Sequence, residues 1–521
     1  MKSSCHSFLL VGLALLLLSS TIGCGQSQSQ AIPPTSAPVQ QLPTTVATPA
    51  AETTGMPSQT PVTFPDKNLE EGVRWSLDRE NIKKQGNEVI YPGELAKLKS
   101  LRVNNKGITD LTGLEYCTGL VELELDSNKL TDISALSSMT RLTRLSLDNN
   151  IGIDGLLAGI EDLSPLSSLT NLTELSLAFP VTVERKTINI SPLSSLSRLT
   201  YLSLAGNVVK DISALSSLTN LTNLDLNGVR TTNISMPYIG TSVIDVSALS
   251  SLTNLIKLNL QWTAISDIRA LSSLTNLTEL DLRANRIRNI SPLSNLTNLT
   301  SLDLSFNDEL TDISPLSKLY HLTALNLDRV RTDLSVLSSL RNLNKLVLGY
   351  NNLNNISMLS SLTNLHELNL HFNNISDISL LSKLTSLTNL DLGMNKTISD
   401  ISPLSKLTSL TNLDLSSNNI SDISSLSSLT GLTELDLHMN KIDDISPLSR
   451  LTNLTKLDLG WNKLMAEGVE PLWSFPWLRE GVWIYLYGNP FVDSFYLRQD
   501  NTKVNGADIS LRIPLPTAPR P

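Results

Sequence analysis

Residues Leu410–Gly431 read LTNLDLSSNNISDISSLSSLTG, and the spacing of their leucines decides the fold. Leu410, Leu413 and Leu415 stand at positions one, four and six of the stretch. Side chains two apart on an extended strand share a face, so Leu413 and Leu415 point the same way. Asn418, at position nine, carries both a donor and an acceptor amide where the chain turns out of that strand. Units starting at Leu98, Leu120, Leu199, Leu255, Leu277, Leu343, Leu365, Leu410 and Leu432 repeat this pattern in 22 residues each. Fifteen units run from Leu120 to Leu454, and eleven of them keep the position-nine asparagine, from Asn128 to Asn462. Ser before Pro, as in Ser291-Pro292, Ser314-Pro315 and Ser402-Pro403, predicts an N-cap followed by Pro at the first helical position.

A length of 521 residues would otherwise suggest about three or four ordinary domains. Repetition removes that ceiling, because each unit needs only its neighbours to bury its leucines. It also accounts for a chain that is 40 % hydrophobic but only 4 % aromatic. The spacing is that of leucine-rich repeats. The expected fold is an α/β solenoid: a horseshoe with a parallel β-sheet on its concave face, short α or 3₁₀ segments on its convex face, and a cap at each end. Lys+Arg 40 against Asp+Glu 49 gives −9, which argues against nucleic acid as a partner. Three cysteines are too few for a disulfide framework, and Cys117 reads as a small buried filler.

The N-terminus is read separately. Met1 to Ser7 is polar with Lys2, Phe8 to Leu18 is apolar, and Thr21-Ile22-Gly23-Cys24 resembles a bacterial lipobox. That resemblance implies a diacylglyceryl group on Cys24 and a membrane anchor, although Thr21 stands where the motif usually has Leu; plain secretion is the alternative. The expected division is 1–23 signal peptide, 24–62 Pro/Ser/Thr/Gln tether, 63–97 N-terminal cap, 98–475 repeats, 476–500 C-terminal cap and 501–521 tail. Residues 473–496 hold nine aromatics, expected to cover the last leucine layer.

Four segments carry a family resemblance: FPDKNLEEGVRWSL from Phe64, KGITDLTGLEYCTGL from Lys106, the repeated LTxLDLxxNxISDISPLSS, and LYGNP ending at Pro490. Together they resemble bacterial internalin-type surface proteins over about Phe64 to Pro490. The resemblance implies a non-enzymatic scaffold whose concave face binds another protein. No immunoglobulin-like module follows the repeats, and Leu515-Pro516-Thr517-Ala518 is not a sortase signal.

Three features break the monotony. Long units place extra residues at Ile151–Ile160, Val181–Thr187 and Val229–Thr241, expected at the rim. Position eight reads Phe179, Trp262, Phe306, Tyr350, Phe372, Met394, Met439 and Trp461. Aromatic anchors favour binding hot spots, so Trp262, Phe306, Tyr350, Phe372 and Trp461 are the contact candidates. The alternative is that the rings shield the asparagines. Positions three, five and seven carry sixteen acidic residues, including Asp391, Asp414, Asp436 and Asp458, against Arg144, Lys257, Arg283, Lys345 and Lys456. Such a face invites a basic partner or loosely held cations, or simply keeps the slab solvated.

Catalysis has no foothold. His6, His321, His366, His371 and His438 are the only histidines, and His366-Glu367 lacks the second His of a zinc-protease helix. No Gly-rich phosphate loop occurs, so no enzyme and no cofactor is expected. The leading expectation is a lipid-anchored protein on the outer face of a bacterial envelope, binding a protein or possibly a glycan. The alternatives are an envelope scaffold without a foreign ligand, or an intracellular regulatory scaffold should the N-terminus not be a signal.

Overall fold

A computed structural model describes residues 60–82, 88–152, 159–179, 187–228, 245–469, 471–472, 475, 482–490, 503–504 and 507–510. Cys24 and residues 1–59 lie outside them, as do most of the three long-unit insertions.

Each unit contributes one three-residue strand at its positions three to five. Seventeen such strands, from β1 (Ser100–Arg102) to β17 (Trp483–Tyr485), pair in parallel and in register. The register follows the leucines: Leu390 faces Leu413, which faces Leu435, which faces Leu457. Within the unit that decided the fold, Leu410, Leu413, Leu415, Ile420, Ile423, Leu426 and Leu429 are all buried. One continuous aliphatic core therefore runs the length of the stack. This is the expected leucine-rich repeat solenoid. Opposite the sheet, each unit from Leu98 to Leu432 carries a 3₁₀ segment, such as Ser424–Ser428 or Ser402–Lys406, and the unit from Leu454 carries a helical turn at Ala466–Val469.

The helix caps differ from expectation. Ser291, Ser314 and Ser402 are not caps but the first 3₁₀ residues. Their backbone N–H groups donate to a side chain two residues earlier: Asn289 for Ser291, Asp312 for Ser314 and Asp400 for Ser402, at 2.8–2.9 Å. A carboxylate or amide at that station reaches the free N–H directly, and at Asp312 and Asp400 the serine hydroxyl bonds the same carboxylate.

Side chains at other stations account for much of the polar composition. Serine hydroxyls bridge neighbouring turns, as Ser428 Oγ does to the Ser405 carbonyl at 2.9 Å. Threonines at position two do the same along the strand entries, Thr433 Oγ1 to Thr411 and Thr411 Oγ1 to Thr388. Asparagines before the next unit form a third line, including Asn276 to Thr253 and Asn453 to Thr430. A solenoid buries backbone carbonyls between units, and short polar side chains satisfy them.

At the N-terminal end, helix α1 (Lys67–Arg79) is capped by Asp66, which accepts from Asn68 and Leu69 N–H. Leu69, Val73 and Leu77, four apart, lie buried on one face and join the core beside β1. Cys117 is buried, and burial pushes its thiol up to about 12, in keeping with a filler. At the other end the parallel ladder continues through β17 into the segment expected to cap it, and on into the expected tail, where Ala507–Ser510 pairs in parallel with β17. Trp483, Tyr485 and Tyr487 belong to β17 and its exit; Trp473, Trp477, Phe491, Phe495 and Tyr496 lie outside the described residues.

Candidate functional site

The site is built where each strand ends. The position-five side chain accepts a hydrogen bond from the position-seven N–H, as Asp414 Oδ1 does from Ser416 at 2.8 Å and Asp391 Oδ1 from Gly393 at 2.9 Å. The position-eight N–H then donates to the next unit: Phe372 to the Gly393 carbonyl, Trp461 to that of Tyr487. The position-nine asparagine closes the turn. Asn373 Nδ2 donates to the Leu348 and Leu370 carbonyls, while its Oδ1 accepts from Asn351 and Leu353 N–H. Asn489, beyond the eleven counted from sequence, extends this ladder by accepting from Asn462 and Leu464 N–H.

This turn forces position eight into the left-handed region. Trp262, Phe306, Tyr350, Phe372 and Trp461 have φ between 52° and 60°. So do Ser127, Asn149, Ala284, Arg329, Met394, Ser417 and Met439. A side chain there costs about 1–2 kcal/mol relative to glycine, and asparagine is among the better tolerated residues. Gly206 and Gly488 fill the same station in their units. The five candidate rings thus stand where the backbone disfavours them. Phe179, in the same sequence column, is buried and is not among the positive-φ residues.

The structure brings some candidates together. Tyr350 and Phe372 stack at 4.4 Å, and His371 meets Tyr350 edge-on at 4.8 Å. Phe306 lies between the guanidinium groups of Arg283 and Arg329, at 4.9 and 5.4 Å. Those cation–π contacts join Phe306 to the rim line through Arg329. Trp262 stands apart beyond Ala284, and Trp461 beyond Met439. Phe372 and Met394 are 39 % exposed, Met439 and Trp461 51 %. Asparagine burial does not follow the rings. Asn150 beside Asn149 and Asn285 beside Ala284 are 0 % and 2 % exposed, whereas Asn373 beside Phe372 and Asn462 beside Trp461 are 5 % and 7 % exposed.

On the sheet face the position-three charges largely pair. Lys257 meets Glu279 and Lys345 meets Glu367, each at 2.8 Å; Arg144 pairs with Glu122. The position-five aspartates behave differently. Asp391, Asp414, Asp436 and Asp458 lie side by side in register. Burial raises the carboxyls of Asp391 and Asp458, and pushes Asp281 up to about 6, with Asp303 adding repulsion. His438 donates toward Asp436 and is raised by that bond. A shallow hollow of about 350 Å³ opens over this column, lined among others by Lys345, Glu367, Asp391, Asp414, Asp436 and Lys456. Among the described residues no group of three or more His, Cys, Asp or Glu could hold a metal ion, and no helix is long and apolar enough to cross a membrane.

Fold and turn chemistry together define a leucine-rich repeat protein. The leucine-rich repeat family pattern matches residues 197–236, 253–295, 275–318, 363–406 and 408–450, and a related single-repeat pattern matches 450–472. An internalin of Listeria monocytogenes, InlF, is 30 % identical with a TM-score of 0.55, covering 73 % of this chain and 98 % of its own. The functional domain of InlJ from the same organism, which includes a cysteine ladder, is 26 % identical with a TM-score of 0.53 over 81 % of each chain. A leucine-rich repeat protein of Leptospira interrogans shares the fold at 22 % identity and a TM-score of 0.55, covering 81 % of this chain and 97 % of its own. No curated protein sequence matches significantly. The chain belongs to the internalin-type leucine-rich repeat proteins.

Proposed function

We propose that this chain is a non-enzymatic cell-surface lipoprotein, anchored through Cys24 and lifted off the membrane by residues 24–62, that binds a protein ligand for adhesion or recognition. The sheet face and the position-eight rim make the contact. One observation carries this reading: Trp262, Phe306, Tyr350, Phe372 and Trp461 occupy left-handed backbone positions that Gly, Ala, Ser or Asn fill in several other units of the same column. Large rings held against backbone preference, without improving asparagine burial, are explained by a task outside the fold. The internalin likeness supports a surface protein of this class.

The test replaces Trp262, Phe306, Tyr350 and Phe372 together by alanine in the full-length chain. Capture of extracellular protein by the variant and the parent is then compared. Lost capture with an intact melting transition supports the rim; unchanged capture by a stable variant sinks it. The anchor is tested separately, by membrane fractionation of Cys24→Ser, which should release the protein into the soluble fraction.

A further inference from the structure

We propose that the rim and sheet face of the units from Leu365 to Leu454 seat a basic amphipathic helix of a partner protein, an inference that rests on the protein-binding reading above.

Two parallel lines define this surface. The outer line is apolar and solvent-facing: Phe372, Met394, Met439 and Trp461, interrupted only by Ser417. The inner line is the aspartate column, Asp391, Asp414, Asp436 and Asp458. Position seven lies between them, and there Gly393, Ser416 and Gly460 raise almost no wall. Three larger side chains stand along that gap: His438 is turned to Asp436 at 3.5 Å, His371 lies 3.8 Å from Asp391, and the Tyr487 ring lies over Gly460. Across Gly393 and Ser416, Asp391 and Asp414 face the apolar line with no ring of their own unit between.

The charge on this surface has little internal compensation. One oxygen of each aspartate is held by a position-seven N–H. Asn369 donates to the second oxygen of Asp391 and Tyr487 to that of Asp458. Lys345 is drawn to Glu367 and Lys456 to Glu434, and among the described residues no Lys or Arg forms an ion pair with the four aspartates. A cationic partner complements this column. A second copy of this chain, at −9, does not, and an anionic membrane surface would be repelled.

Spacing selects the partner's conformation. Parallel strands about 4.8 Å apart place the four carboxylates at about 0, 4.8, 9.6 and 14.4 Å along the stack. A helix rising about 1.5 Å per residue presents side chains at i, i+3, i+7 and i+10 on one face, at about 0, 4.5, 10.5 and 15 Å. Each falls within about 1 Å of a carboxylate. An extended segment offers same-face side chains about every 6.7 Å, so its second misses every carboxylate by about 2 Å and it can meet only the first and fourth. Apolar residues along one flank of the helix would then meet Phe372, Met394, Met439 and Trp461.

Two synthetic peptides of equal charge test this on the full-length chain by fluorescence anisotropy. One is a helix with Lys at i, i+3, i+7 and i+10 and Leu along one flank; the other alternates Lys and Val as an extended strand. The variant is Asp414→Asn with Asp436→Asn and Asp458→Asn. Asparagine already fills position five at Asn259, Asn326 and Asn369 and accepts the same N–H at 3.0–3.1 Å, so the turn is kept. The helical peptide is expected to bind at least tenfold tighter than the extended one and to lose at least tenfold on the variant. Equal binding of the two peptides, or undiminished binding to the variant, overturns the proposal. A native protein captured at full strength by the Asp→Asn variant but lost from the four-alanine rim variant overturns this inference while leaving the protein-binding function standing.

Discussion

The indole of Trp461 lies across the bare Cα of Gly488, 2.5 Å from where a Cβ would stand. The two residues hold position eight of neighbouring units, and both have positive φ, 53° and 72°. A large ring and a glycine thus meet at the same station: the glycine makes room for the ring and relieves its own turn of strain. Gly488→Ala should lower stability by about 1–3 kcal/mol, from left-handed strain and overpacking together. Chemical denaturation checks it, and an unchanged midpoint would contradict the ring's seating.

Relieving strain elsewhere in the column should act in the opposite direction. Met439 is half exposed, and its sulfur accepts from Ser417 Oγ at 3.6 Å. Met439→Asn should raise stability by a few tenths to about 1 kcal/mol, because asparagine tolerates φ near +56° better. A thermal melt showing clear destabilisation would mean that the side chain serves the fold rather than the surface.

The asparagine ladder predicts a large loss. Asn373→Ala removes two donations to buried carbonyls and one acceptor shared by two N–H groups. A cost of about 2–4 kcal/mol follows from leaving such groups unpaired and a small void behind. Asn373→Thr should cost less, since Thr263 already holds this station and donates to the Leu260 carbonyl at 2.6 Å. Equal losses for Ala and Thr would contradict the hydrogen-bond account.

Stability should also depend on pH in a definite sense. Asp281, pushed up to about 6, and Asp225, Asp391 and Asp458, also raised by burial, bind protons more readily folded than unfolded. Descent from neutral pH therefore adds stability. His438, raised by its bond to Asp436, acts the same way: its contribution is complete below its unfolded value and is lost as pH rises through the folded one. In strong acid the sense reverses. Asp312, Asp400 and Asp422 are held below the ordinary value of 3.8 by their bonds to serine, and that stability goes as they protonate. The melting temperature should peak between about pH 4 and 6. A peak above pH 7 would contradict the burial of the aspartate column.

How much of this could be read from residues alone depends on whether a residue's job is periodic. The leucine of Leu413 recurs in all fifteen units and the asparagine of Asn418 in eleven of them, each with one purpose, so strand, core and ladder were legible. The sign of φ at Trp461 was not, because residue type does not state it. Gly206, Gly488 and Asn149 in the same column were the available signal. Asp414 was read as surface charge, yet it also ties the turn through Ser416 N–H; the exchange of Asp for Asn at Asn259, Asn326 and Asn369 marked that second role. The caps were misplaced because Ser-Pro is a familiar pair, whereas the acceptor is the Asp or Asn before it.

Whether the rim is the contact surface can be measured without knowing the ligand. A photo-crosslinking phenylalanine at Phe372 or Met439 of the full-length chain, on the rim, is compared with one at Ser382 or Ser427, half-buried on the opposite side. A rim interface predicts covalent adducts to a discrete extracellular protein from 372 and 439 and none from 382 and 427. Adducts from the 3₁₀ side alone would contradict it.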